Sequence, residues 1–178
     1  WFQRCTGGVT REPPRVDRYL ALLNRGDLNV KFREGRIEIK QRVAHASVVR
    51  FHQRAAGVVE QWRKWSFELV EPASARASTA PTAPSWIAVR KERRLRTYQV
   101  RDGEDVVARA TPNAPAHGCE LELTRVDAAG EAWWTLAFEA FGDESMLRKE
   151  LLLVARHVFR TNEPPPLRPS DSQGYAAW

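Results

Sequence analysis

The 178-residue chain is poor in cysteine and lysine and has no long apolar run. Two cysteines, Cys5 and Cys119, are too few for the disulfide framework that staples small secreted domains. The longest clean apolar run, Leu151 to Ala155, falls far short of the ~18 residues a membrane-spanning helix needs, so no transmembrane helix is expected. No segment has the form of a signal peptide. The chain opens at Trp1 and not at Met, as a shortened chain would. No GxSxG motif, P-loop or Rossmann glycine fingerprint occurs, which removes support for those enzyme classes. These absences point to a soluble, cytoplasmic protein. Its length fits one domain over residues 1–178, on a prior of roughly 100–200 residues per domain. An apolar share of 43% is enough to build a core.

What the chain does have is arginine. Lys+Arg number 28 against 22 Asp+Glu, a net +6 that favours anionic partners without naming one. Of the 28, 23 are Arg and 5 are Lys. Arginine's flat fork of donors matches phosphate and carboxylate oxygens, whereas lysine is a point charge. GC-rich codons would give the same ratio, since Ala also occurs 23 times. Position has to decide.

Residues 1–14 contain Gly7-Gly8 and Pro13-Pro14 and read as a frayed strand or loop. Residues 71–85 are low-complexity and nearly free of bulky apolar side chains, so a mobile loop is expected there. Residues 161–178, with Pro164-Pro165-Pro166, read as an extended tail whose Tyr175 and Trp178 dock back onto the body. Strand-like segments lie at 28–43, 58–70, 86–100, 105–110, 119–126 and 132–140. After Gly142, Asp143 is placed as an N-cap, and Leu147, Leu151, Val154 and Val158 share one helical face. A weaker helix is expected over 46–56. The fold class is therefore α+β, mainly β: an antiparallel, roughly eight-stranded closed or nearly closed barrel with one or two flanking helices.

The segment Leu28–Arg42 carries the functional reading. If Glu34-Gly35 is a two-residue hairpin turn, Phe32 faces Ile37 and Val30 faces Ile39 on an apolar side. The opposite side pairs Arg33 with Arg36, Lys31 with Glu38 and Asn29 with Lys40, with Arg42 beyond. Five cations and one carboxylate then share a face. Like charges placed opposite one another cost ~0.2–1 kcal/mol per pair, so a bound anion would explain the face better than solvent does. A solvated basic face is the ordinary alternative.

Further along, Lys91 and Arg93 alternate with Arg90 and Glu92, and Arg94 and Arg96 follow. Asp102-Gly103 is a hairpin turn signal that would pair Arg101 with Glu104 and Tyr98 with Val107. Glu120, Glu122 and Thr124 share one strand face, and Glu139 ends an otherwise apolar strand. Carboxylates at i and i+2 are common on exposed strands. Beside cationic strands they are ingredients of phosphoryl chemistry, because Mg²⁺ takes one or two carboxylates and fills its shell with phosphate and water.

The stretches RVDRYL at 15–20, VKFREGRIEIKQR at 30–42, VRKERRLR at 89–96, CELELT at 119–124 and WWTLAFEAFG at 133–142 together resemble the CYTH-like superfamily of triphosphate tunnel metalloenzymes. The resemblance spans roughly two-thirds of the chain and implies a barrel with a charged tunnel. It implies phosphate contacts by Lys31, Arg33, Arg36, Lys40, Arg42, Lys91, Arg93 and Arg96, and ligation of Mg²⁺ or Mn²⁺ by Glu120, Glu122, Glu139 and Glu38. The implied ligand is a phosphorylated small molecule or polyphosphate. If the protein is an enzyme, it would be a metal-dependent phosphohydrolase of the triphosphatase type. One departure stands out: the family's first strand carries Glu-x-Glu-x-Lys, and residues 1–14 contain no such pattern. RIEIK at 36–40 is only a partial echo, on the wrong strand.

Two other classes stay open: a non-catalytic anion-binding barrel, and a binder of RNA or single strands. The second is disfavoured, because Trp62, Trp65, Trp86, Trp133 and Trp134 sit within apolar alternation and read as core or strand-end packing before stacking platforms. His45, His52, His117 and His157 show no metal-ligand spacing. Oligomeric state is not legible.

Overall fold

The computed structural model describes residues 1–69, 85–109 and 115–174. In chain order the strands are β1 (Thr10–Arg11), β2 (Arg15–Leu20), β3 (Leu28–Arg33), β4 (Arg36–Arg42), β5 (Ser47–His52), β6 (Ala55–Val59), β7 (Trp62–Glu68), β8 (Trp86–Arg101), β9 (Asp105–Ala108), β10 (Gly118–Ala128) and β11 (Glu131–Phe141). One helix, α1 (Leu147–Thr161), follows them. The protein is mainly antiparallel β with this single α-helix among the described residues.

The main sheet runs β11-β10-β8-β2-β3-β4-β7. The long strand β8 is its spine. One edge of β8 carries β10, and the other carries β2, β1 and β9 in succession. No backbone ladder joins β7 to β11 among the described residues, so the sheet is not closed. It curls nonetheless: Lys40 on β4 reaches Glu139 on β11 at 3.2 Å.

Two faces follow from the two-residue period. On the convex side, Tyr98, Val100, Cys119 and Leu121 pack against Val154 and Val158 of α1 and against Phe2 and Cys5. Burying each such aliphatic side chain contributes ~1.5–3 kcal/mol, so this layer anchors the helix to β8 and β10. Both cysteines are buried and free. On the concave side the side chains are largely charged.

The β3–β4 hairpin has the register expected from its turn, with Phe32 opposite Ile37, Lys31 opposite Glu38 and Asn29 opposite Lys40. Glu34 and Gly35 have φ of 49° and 76°, the left-handed pair that a two-residue turn matched to strand twist requires. Other expectations need correction. Residues 46–56 form no helix; they make the β5–β6 hairpin, because Val49 and Phe51 alternate with exposed Val48 and Arg50 at the strand period. The Asp102-Gly103 turn forms, but Arg101 pairs with Asp105 and Tyr98 with Ala108. Glu104 is an extra loop residue, its N–H donating to the Arg101 carbonyl at 3.1 Å. Asp143 does not cap α1. It accepts from the Ser145 N–H at 2.8 Å in a preceding turn, and Met146 occupies the N-cap.

The segment after α1 docks on β6, through a parallel bridge of Leu167 to Ala55 and a hydrogen bond from the Val58 N–H to Ser172 Oγ at 2.9 Å. Tyr175 and Trp178, and the expected loop apart from Ser85, lie outside the described residues. No helix among those residues is long and apolar enough to cross a membrane.

Candidate functional site

On the concave side, alternation on β3 and β4 turns Asn29, Lys31 and Lys40 inward, and β8 adds Lys91 and Arg93. The strand between them, β2, adds Arg15 and Tyr19. These residues, with Trp62, Glu122, Glu139 and Gly174, line a single cavity of about 190 Å³. That is smaller than the ~300–1,000 Å³ of pockets that bury drug-sized ligands, and suits a compact charged group. Beside it, Tyr19, Val89 and Val126 form a small apolar cluster with Trp133.

Beneath the cations lies Asp17, fully buried at 0% exposure. Its carboxylate stands 3.6 Å from Lys31 Nζ, 3.7 Å from Lys91 Nζ and 3.4 Å from Arg15 Nε. Lys91 also donates to the Tyr19 hydroxyl at 2.6 Å. Burial is the largest influence on Lys91 and drives its ammonium down to about 7. Neighbouring Lys31 and Arg15 push the same way, and Asp17 and Glu122 oppose them. Lys31 is lowered as well, by burial against the pull of Asp17 and Glu38. Asp17 thus serves both ammonium groups, and Glu38 adds a second carboxylate at Lys31.

The remaining cations are more fully matched. Arg93 donates to Glu122 at 3.0 and 2.5 Å and to Glu12 at 2.6 Å. Glu38, 2% exposed, is ringed by Lys31 at 2.8 Å, Arg33 at 2.9 Å and Lys64 at 3.1 Å. Burial alone would raise its pKa, but those three cations hold it at about 2. Arg42 is fixed by Glu60 at 2.6 Å, and the same Glu60 accepts from the Trp62 indole at 3.0 Å. Arg36 sits at the exposed turn, 4.0 Å from Glu68. The excess of positive charge read along the hairpin is therefore largely compensated, by Glu38 of the hairpin itself and by Asp17, Glu60 and Glu139 from elsewhere in the chain.

Of the residues expected to contact phosphate, Lys31, Lys40, Lys91 and Arg93 are brought together at the cavity. Arg33, Arg36 and Arg42 are not among its lining residues. Arg96 belongs to the opposite face, where its guanidinium donates to the carbonyls of Phe2, Gln3, Thr6 and Gly7 and clamps the N-terminal segment. Of the expected metal ligands, Glu120 and Glu139 are direct cross-strand neighbours. Burial raises the Glu120 pKa, and Glu139, Glu12 and Glu122 add to the rise against Arg93. Glu122 is lowered, because Arg93 and Thr124 outweigh its burial. Glu38 stands apart among its cations. With Glu122 tied to Arg93 and Glu139 to Lys40, no three carboxylate, imidazole or thiolate groups gather as a metal centre among the described residues.

The contribution of β2 escaped sequence reading. Arg15, Asp17 and Tyr19 alternate at the strand period, but Arg18 and two prolines nearby obscure the pattern. Of the tryptophans, Trp62 reaches the cavity and Trp133 the apolar cluster, whereas Trp65 and Trp134 are 38% and 54% exposed. The architecture is thus a curled antiparallel sheet with a charged concave face. Against known families, curated proteins and solved structures, the chain finds no match.

Proposed function

We propose that the concave face binds a phosphorylated small molecule or polyphosphate, within a barrel-like tunnel of the kind the CYTH-like resemblance implies. The observation that carries this reading is the convergence of Arg15, Lys31, Lys40, Lys91 and Arg93, from four strands, on one cavity. The Lys40–Glu139 pair is 35% and 59% exposed, and such pairs are worth only ~0–1 kcal/mol. A multivalent phosphate displaces Glu139 at little cost and adds negative charge beside the crowded ammonium groups of Lys31 and Lys91. Arg93 supplies a planar fork beside these point charges.

A second reading, metal-dependent hydrolysis of a triphosphate, is favoured by one observation: the Glu120 carboxylate makes no hydrogen bond or ion pair among the described residues, and Glu120 lies opposite Glu139 across the ladder. Titration of the protein with inorganic triphosphate, followed by calorimetry and by phosphate release with and without Mg²⁺ or Mn²⁺, separates the two. Binding without turnover, lost in Lys40→Ala and Arg93→Ala, supports the first reading. Metal-dependent release lost in Glu120→Gln supports the second. No heat and no thermal stabilisation with any polyphosphate refutes both.

A further inference from the structure

Strand β7 offers an edge that no described residue pairs. The Leu69 N–H donates to the Gly35 carbonyl at 2.9 Å, and the Val43 N–H donates to the Gln61 carbonyl at 2.9 Å. These bonds flank β7 and, by the antiparallel alternation, place its odd-numbered residues in the hydrogen-bonded pairs with β4. The N–H and C=O groups of Lys64, Ser66 and Glu68 therefore point away from β4, along the free edge. Residues 63–68 are all exposed. The convex face of β7 also carries an apolar stripe, with Trp65 38% and Phe67 52% exposed. The strand has no proline, and its ladder to β4 runs without a bulge. Those are two of the usual ways a sheet edge is kept from pairing with another chain.

We infer that β7 pairs antiparallel with β7 of a second copy of this chain, about a two-fold axis at Ser66. Hydrogen-bonding positions must meet one another, so even residues pair with even and few registers are allowed. The one centred on Ser66 sets Lys64 opposite Glu68 of the second copy and Trp65 opposite Phe67, each twice by symmetry. Centring on Trp65 instead sets Lys64 opposite Ser66, and centring on Phe67 sets Ser66 opposite Glu68. Neither makes a charge pair. Charge and aromatic complementarity thus select one self-complementary register, as a two-fold contact demands. This inference does not depend on what the cavity binds.

Sedimentation velocity of the full chain over a range of concentrations tests it. The chain is expected to dimerise reversibly. Glu68→Lys, at a side chain 74% exposed, sets Lys opposite Lys64 twice and weakens the dimer by about tenfold. Ser66→Cys lies on the axis, with Cα atoms ~5.5 Å apart in a hydrogen-bonded pair, within disulfide reach, so mild oxidation yields a covalent dimer. Cys5 and Cys119 are buried, and Val48→Cys, exposed on β5, yields no covalent dimer under the same oxidation. A chain monomeric at every concentration overturns the proposal. So does a dimer that Glu68→Lys leaves unchanged and Ser66→Cys fails to cross-link.

Discussion

Replacing Asp17 by Asn removes one negative charge and almost no volume from beneath Lys31, Lys91 and Arg15. Taking one partner from a buried ion pair costs ~3–5 kcal/mol, because the remaining charge is left desolvated. Here the cost has a pH signature. Lys91 already titrates at about 7, so above that pH it is neutral in the folded protein and loses nothing when Asp17 is neutralised. Below that pH it is protonated, and Asp17 is the largest influence favouring its proton. In the Asn variant its pKa falls further, and the lost interaction grows by ~1.4 kcal/mol per pH unit until the new pKa is reached. The Arg15 guanidinium, 3.4 Å from the Asp17 carboxylate, sets the part that persists at higher pH. Urea denaturation of both proteins at about pH 6 and about pH 9 should show a loss of ~3–5 kcal/mol near pH 6, smaller by ~1–2 kcal/mol near pH 9. A loss below ~1 kcal/mol at the lower pH, or one that does not change with pH, refutes the geometry assigned to Asp17.

The same depressed ammonium governs the wild-type protein. The unfolded chain holds a proton on Lys91 up to the ordinary lysine value of 10.5, whereas the folded chain gives it up near 7, so stability rises with pH through that window. Lys91→Met should raise the melting temperature near pH 7 and flatten its rise with pH; a melting temperature that falls, with the slope intact, counts against this. Arg96→Met should free the carbonyls of Phe2, Gln3, Thr6 and Gly7, which hydrogen exchange would report as lost protection in the N-terminal segment; unchanged protection there would disprove the clamp. Gly142 has a φ of 120°, and a Cβ at that position would strike His117, so Gly142→Ala should cost more than ~1 kcal/mol in chemical denaturation. Tripolyphosphate should take up protons on binding near pH 8, because a bound anion restores the charge on Lys91. Calorimetry in buffers of different ionisation enthalpy reads that uptake directly, and heats independent of buffer would rule it out.

Local information was enough for the hairpin of β3 and β4. A two-residue turn and a period of two leave one register that keeps Phe32, Ile37, Val30 and Ile39 on the same side, so the face shared by Lys31 and Lys40 follows. The helix face of Val154 and Val158 was legible for the same reason. Expectations failed where neighbours in space outweighed neighbours in sequence. The hairpin at 46–56 carries a weak helical pattern, and a single extra loop residue at Glu104 moved the β8–β9 register by one.

The alternation of residue types along each strand therefore determined which side of that strand would be charged, because side-chain direction in a strand depends only on position parity. Only the tertiary structure decided what those charges meet. Asp17, Glu122 and Glu139 come from three strands scattered through the chain, and the curl of the sheet brings them against cations that sequence shows as isolated clusters. Charge balance depends on distance in space and on burial, and neither can be read from distance along the chain.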